Sequence, residues 1–167
     1  MGLFDMFKKK ETVVTIYAPI NGKVIDLSEV PDEAFAKKMV GDGCAMEPDK
    51  GVICSPIEGQ LMNVFPTNHA VIFETKEGLE MIVHFGIDTV KLEGNGFQKL
   101  RDAGPIKPGE EIVKYNLDEI SKNIPSVVPS TKTPVIINNM EKVEKIEIIA
   151  LGKVVKIGEP IMKVTLK

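Results

Sequence analysis

An all-β fold, an antiparallel β-sandwich or barrel of many short strands with one or two short helices, is what this sequence predicts. Two observations carry that expectation. Segments rich in β-branched and aromatic residues recur about every 8–12 residues with turn signals between them, the spacing of all-β domains. Turn elements are also used twice. Ala18-Pro19-Ile20-Asn21-Gly22 is echoed by Ser55-Pro56-Ile57-Glu58-Gly59, with a strand following each, and Lys107-Pro108-Gly109-Glu110 is echoed by Lys156-Ile157-Gly158-Glu159. Such reuse points to similar strand–turn–strand units, as in sandwiches. A chain of 167 residues is long enough to bury a sizeable core in one domain. The expected division is a tail at 1–11 and a single domain at 12–167.

The elements follow in order. Residues 1–10, M-G-L-F-D-M-F-K-K-K, place Leu3, Phe4 and Phe7 at helical spacing ahead of three lysines. This segment reads as an amphipathic stretch that touches anionic lipid, or more plainly as a disordered tail. Met6 departs from the myristoylation pattern. Residues 13–17 form a strand and 19–22 a turn. Residues 31–40, P-D-E-A-F-A-K-K-M-V, read as a helix with Pro in its first turn, acids beside it, and Phe35 and Met39 on one face. Strands are expected at 52–54, 60–64, 111–115, 135–138, 146–150 and 161–166. Residues 117–124 read as a helical turn and 126–134 as a loop.

Residues 66–90 hold the only two histidines, His69 and His84. Apolar runs at 70–73 and 79–85 flank the turn signal Lys76-Glu77-Gly78, which reads as a β-hairpin. A two-residue loop, Glu77-Gly78, sets Lys76 opposite Leu79, Val71 opposite His84, and His69 opposite Gly86. The two histidines are then diagonal neighbours on one face, roughly 7–8 Å apart at the backbone. Val71, Phe73 and Ile82 would share that face, and Ile72, Met81, Val83 and Phe85 the other. A loop of odd length would separate the histidines, because a slip of one residue flips every side chain. A neutral imidazole is a nucleophile, a base or a metal ligand near pH 7. A pair lets one ring react while the other donates to the developing charge. The plainer alternative is two half-buried histidines satisfied by backbone groups.

The rest of the chain narrows the field. A net charge of −3 argues against general nucleic-acid binding. No apolar run is long enough to span a membrane, and no secretory signal is present. Cys44 and Cys54 lie in apolar contexts without metal spacing and read as reduced thiols of a cytoplasmic protein. No G-x-x-x-x-G-K-[ST] loop occurs, so ATP is not expected as a direct substrate.

Thr67-Asn68-His69-Ala70, followed by V-H-F-G-I-D-T-V at 83–90, resembles the active-site pair of the glucose-type enzyme IIA family of the bacterial phosphoenolpyruvate-dependent sugar phosphotransferase system. A-P-I-N-G at 18–22, V-G-D-G at 40–43, L-E-G-N-G-F at 92–97 and T-P-V-I-I-N-N-M at 133–140 extend the resemblance over nearly the whole chain. It implies a phosphoryl carrier that accepts phosphate from phospho-HPr on His84, through Nε2, and passes it to a cysteine on the IIB domain of a sugar permease. It implies that His69 stabilises the phosphoryl oxygens and that Thr67 orients a ring. A docking patch of Phe35, Met39, Val40, Phe65, Val71, Ile82 and Val90, rimmed by Asp32 and Asp88, is expected to receive the partners. No cofactor is required, although His69 and His84 can take zinc if a partner completes the site. The chain is expected to be a monomer that in some bacteria also regulates other transporters and kinases. The rival readings are a zinc hydrolase using His69, His84 and Asp88, a lipoyl-type carrier, and a purely regulatory binding protein.

Overall fold

A computed structural model describes residues 11–167, so the amphipathic reading of residues 1–10 lies outside the described residues. The strands are β1 (Val13–Tyr17), β2 (Gly22–Ile25), β3 (Asp42–Pro48), β4 (Gly51–Cys54), β5 (Gly59–Val64), β6 (Ala70–Thr75) and β7 (Glu80–His84). They continue as β8 (Phe97–Lys99), β9 (Gly104–Ile106), β10 (Glu111–Tyr115), β11 (Thr133–Ile137), β12 (Val143–Ile148), β13 (Val154–Val155) and β14 (Pro160–Leu166). Two short α-helices, α1 (Glu33–Ala36) and α2 (Leu117–Ser121), interrupt them. All strand pairs are antiparallel. The all-β expectation therefore holds, as stacked sheets and not as a closed barrel. No helix among the described residues is long and apolar enough to cross a membrane.

One sheet has eight strands in the order β13-β2-β3-β11-β7-β6-β5-β9, and two smaller sheets run β1-β14-β12 and β4-β10-β8. A continuous core joins all three. It contains Ile16 of β1, Ile53 of β4, Phe73 of β6, Val83 of β7, Ile112 of β10 and Val135 of β11, each fully buried. Alternate residues of the large sheet point away from this core. There, Ile25, Ala45, Ile87 and Ile136 form a second cluster against half-buried Phe35 and Ile82.

The large sheet reads the same from either end. β13-β2-β3-β11 corresponds to β9-β5-β6-β7, and the small sheet β1-β14-β12 corresponds to β4-β10-β8. The backbone hydrogen bonds repeat too. Tyr17 N–H donates to Pro56 O at 2.9 Å while Cys54 N–H donates to Pro19 O at 2.7 Å. Ala18 N–H donates to Glu159 O at 2.8 Å, and Ser55 N–H donates to Glu110 O at 2.9 Å. The echoed turns are thus related by a pseudo-two-fold axis, which passes near the paired residues Val83 and Val135. One unit, β4–β10, is continuous. The other is split into β1–β3 and β11–β14.

One strand was not expected, and two expectations need correction. β3, D-G-C-A-M-E-P, has none of the β-branched residues that mark a strand. Its place between β2 and β11 supplies the order instead. The helix expected at 31–40 is only α1. Asp32, not Pro31, opens it, accepting from Ala34 N–H at 2.9 Å and Phe35 N–H at 3.4 Å. It ends at left-handed Lys38 (φ 58°), with Lys38 N–H on Phe35 O and Met39 N–H on Ala34 O, a Schellman end. Phe35 and Met39 therefore share no helix face: Phe35 is half-buried and Met39 is 70% exposed.

The second correction is the hairpin register. Ala70 pairs with His84, Val71 with Val83, Ile72 with Ile82 and Phe73 with Met81. The loop is the three residues Lys76-Glu77-Gly78: Thr75 N–H donates to Leu79 O, Gly78 N–H donates to Thr75 O, and Gly78 adopts φ 93°. Three-residue hairpin loops with a left-handed last residue are a standard solution. The slip of one residue sends Val71 and Phe73 into the core with Met81 and Val83. Ile72, not Val71, shares the face of Ile82 and His84.

Candidate functional site

His84 is the last residue of β7, at the end of the central strand pair. By register alone, His69 would point away from it. His69 lies just before β6, however, and Asn68 has a left-handed backbone (φ 61°) that breaks the pleat there. His69 O still accepts from Phe85 N–H at 2.7 Å, which anchors the segment beside β7. The rings end 4.9 Å apart, centroid to centroid, crossed at 83°. The juxtaposition expected from the sequence is present, but a kink makes it, not strand register.

Each ring is held through Nδ1. His84 Nδ1 lies 2.7 Å from Gly86 O. A carbonyl oxygen only accepts, so Nδ1 carries the proton and Nε2 of the neutral ring keeps its lone pair. Thr67 Oγ1 lies 2.6 Å from His69 Nδ1. With the hydroxyl as donor, His69 carries its proton on Nε2. Aromatic rings wall the pair: Phe35 packs on His84 at 5.3 Å and Phe65 meets His69 edge-on at 5.5 Å.

Burial sets the charge. His69 is 2% exposed, and desolvation, then the neighbouring His84, lowers its pKa from 6.5 to about 4. His84 is also lowered by desolvation. The Gly86 carbonyl and the carboxylates of Asp32 and Asp88 oppose that shift without reversing it. Both rings are accordingly mainly neutral at pH 7.

The remaining residues singled out in the sequence divide. Asp32, Phe35, Phe65, Ile82 and Asp88 are partly exposed. Met39, Val40 and Val90 are 70%, 41% and 50% exposed. Val71 is fully buried in the core and takes no part in the surface. Ile72, half-buried on the face of His84, was missed with the register. Asp88 has a left-handed backbone and directs its carboxylate to Lys91 Nζ at 3.5 Å. Among the described residues no group of three or more His, Cys, Asp or Glu side chains is placed to hold a metal ion, so Asp88 does not complete a site with the two histidines. Cys44 and Cys54 are both free and buried, and burial pushes each thiol up to about 12. A cavity of about 470 Å³ at the β5–β9 edge includes Glu58, Glu74, Lys76 and Glu110 but neither histidine.

Comparison with known proteins places this arrangement in a family. Residues 14–143 match the model for the phosphoenolpyruvate-dependent sugar phosphotransferase system, EIIA 1. The chain is 40% identical over 164 residues to the PTS system glucose-specific EIIA component of Staphylococcus epidermidis, covering 98% of this chain and 96% of that protein. It is 45% identical over 148 residues to the protein of the same description from Borreliella burgdorferi, covering 88% of this chain and 76% of the relative. The solved structure of glucose permease IIA from Mycoplasma capricolum superposes with a TM-score of 0.79 at 34% identity, covering 94% of this chain and 97% of that one. With a family match over most of its length and a 40% identical relative aligned nearly end to end, this chain belongs to the glucose-specific EIIA family of the phosphoenolpyruvate-dependent sugar phosphotransferase system.

Proposed function

We propose that this protein is a phosphoryl carrier, with His84 Nε2 as the acceptor atom. The hydrogen bond from His84 Nδ1–H to Gly86 O at 2.7 Å carries the reading. It fixes the tautomer and leaves the Nε2 lone pair free on a ring that burial keeps neutral. Such transfer depends on in-line positioning and charge stabilisation more than on covalent machinery. The Nε2 lone pair attacks phosphorus as the phosphorus–nitrogen bond to the HPr histidine breaks. In the second step a cysteine thiolate of a IIB domain attacks, and His84 leaves as the neutral ring. His69, anchored through Thr67 at 2.6 Å, donates from Nε2–H to the phosphoryl oxygens. Phe35, Phe65, Ile72 and Ile82 supply an apolar surround that keeps water from the phosphoramidate, and Asp32 and Asp88 form the charged rim. The same face serves HPr, the permease domain and any regulatory partner in turn, in the cytoplasm. A phosphoryl group there adds charge to an apolar patch and changes what docks.

A mass spectrum after incubation with phosphoenolpyruvate, enzyme I and HPr tests the assignment. One acid-labile phosphoryl group is expected, absent from His84→Gln. Equal labelling of that variant and the wild type would refute His84 as the acceptor.

A further inference from the structure

Around Gly86, two successive peptide planes are pinned from both sides. In the Phe85–Gly86 plane, Phe85 O accepts from the Thr89 hydroxyl at 2.5 Å, and Gly86 N–H donates to Thr133 Oγ1 at 3.3 Å. In the Gly86–Ile87 plane, Ile87 N–H donates to Ser130 O at 2.9 Å, and Gly86 O accepts from His84 Nδ1–H. Thr133 Oγ1 in turn donates to Thr131 O at 2.9 Å, so that its one proton is committed and a lone pair faces Gly86. Thr89 and Thr133 are both 0% exposed, yet neither touches a histidine in any of these hydrogen bonds. A Cβ at residue 86 would lie 2.7 Å from Thr89 Cγ2 and 2.9 Å from Ser130 O, and φ there is 69°. Only glycine sits in this clamp without displacing it.

We propose that Thr89 and Thr133 are positioning residues for His84: their hydroxyls fix the Phe85–Gly86 peptide, and through it the Gly86 carbonyl that holds His84 as the Nδ1–H tautomer. This rests on the reading of His84 as phosphoryl acceptor only for its kinetic consequence. The ring's tautomer is a property of the free protein. Without the Thr133 hydroxyl, Gly86 N–H is left buried and unpaired. The Phe85–Gly86 peptide then turns to find a partner, the dihedral angles at Gly86 change with it, the Gly86 carbonyl of the next plane leaves the line to Nδ1, and the proton redistributes to Nε2, where it occupies the attacking lone pair. Partners that orient metal-ligating histidines are worth roughly 10–100-fold in affinity or activity, and a loss of that order in uptake rate is expected here.

The test is nitrogen-15 NMR of His84 in the unphosphorylated protein, beside the rate of phosphoryl uptake from phospho-HPr. Wild type should show the Nδ1–H form. Thr133→Val should show a mixture with the Nε2–H form and slower uptake, Thr89→Val the same to a lesser degree, and Thr133→Ser should restore both readouts. Thr75→Val is the control. Thr75 is a buried threonine whose Oγ1 accepts from Leu79 N–H at 3.0 Å at the far end of the hairpin, and its loss should leave the tautomer unmoved. An unmoved tautomer in folded Thr133→Val, a failure of serine to rescue, or an equal response to Thr75→Val would overturn the proposal. If Thr133→Val does not fold, the wild type decides through hydrogen exchange at the Gly86 amide. Protection supports the clamp, and exchange as fast as an exposed amide refutes it. If wild type takes up no phosphoryl group, the carrier reading fails while the tautomer still judges the clamp.

Discussion

The two pseudo-symmetric units share one backbone plan and differ at the place proposed for the chemistry. The strand pair β6–β7 corresponds to β3–β11. Phe73 paired with Met81 matches Met46 paired with Thr133, and Ala70 paired with His84 matches Gly43 paired with Ile136. In one unit the strand end carries an imidazole followed by Phe85-Gly86-Ile87. In the other the equivalent side chain is Ile136, fully buried in the smaller apolar cluster. A frame used twice thus carries the histidine pair once. The symmetry builds the scaffold, and local departures from it, the left-handed Asn68 and Gly86, build the site.

If that division is right, removing the imidazole should be the largest effect and should fall on chemistry alone. His84→Gln should abolish phosphoryl uptake while its urea midpoint stays close to that of the wild type. Core truncations should do the reverse and fall on both units alike. Phe73→Ala should cost about 3–5 kcal/mol and its counterpart Met46→Ala about 2–5 kcal/mol, both measured by urea unfolding. A large loss in one and none in the other would break the equivalence of the units.

The pH dependence should be one-sided. The His69 pKa falls from 6.5 to about 4 on folding, so the unfolded chain takes up the proton first as pH drops. Stability from this group is therefore complete above pH 6.5 and is lost as pH falls from 6.5 to about 4. The loss is at most about 3 kcal/mol. It should disappear from the pH series of unfolding curves of His69→Gln. The smallest effect belongs to the exposed surface: Met39→Ala, at a residue 70% exposed, should change stability by no more than about 0.5 kcal/mol. If it also weakens HPr binding, Met39 belongs to the docking face.

Much of this plan was legible from residues alone. β1 and β10 begin and end where β-branched alternation placed them. The turn echoes pointed to similar strand–turn–strand units used twice, because a tight turn constrains sequence locally, but the two-fold relation of the whole units was not readable from them. The two histidines were legible because no others compete with them. Three features were not. β3 is ordered by neighbours on both sides, so its own residues need little strand preference. The loop at Lys76-Glu77-Gly78 suits two- and three-residue hairpins equally, and the choice between them moved Val71 from surface to core. The threonine clamp unites residues about 45 apart in sequence: Gly86 N–H meets Thr133 Oγ1 across 47 positions. No local pattern announces such a contact.

The split unit also says something about chain connectivity. Leu166 N–H donates to Thr12 O at 2.9 Å, so the two ends of the folded sheets are neighbours. Joining them with a short linker and reopening the chain in the 122–132 loop would bring β11–β14 directly ahead of β1–β3, with β4–β10 following. That circular permutant would present the two units in tandem, as an undisguised duplication, and its hydrogen bonds would be those of the natural order.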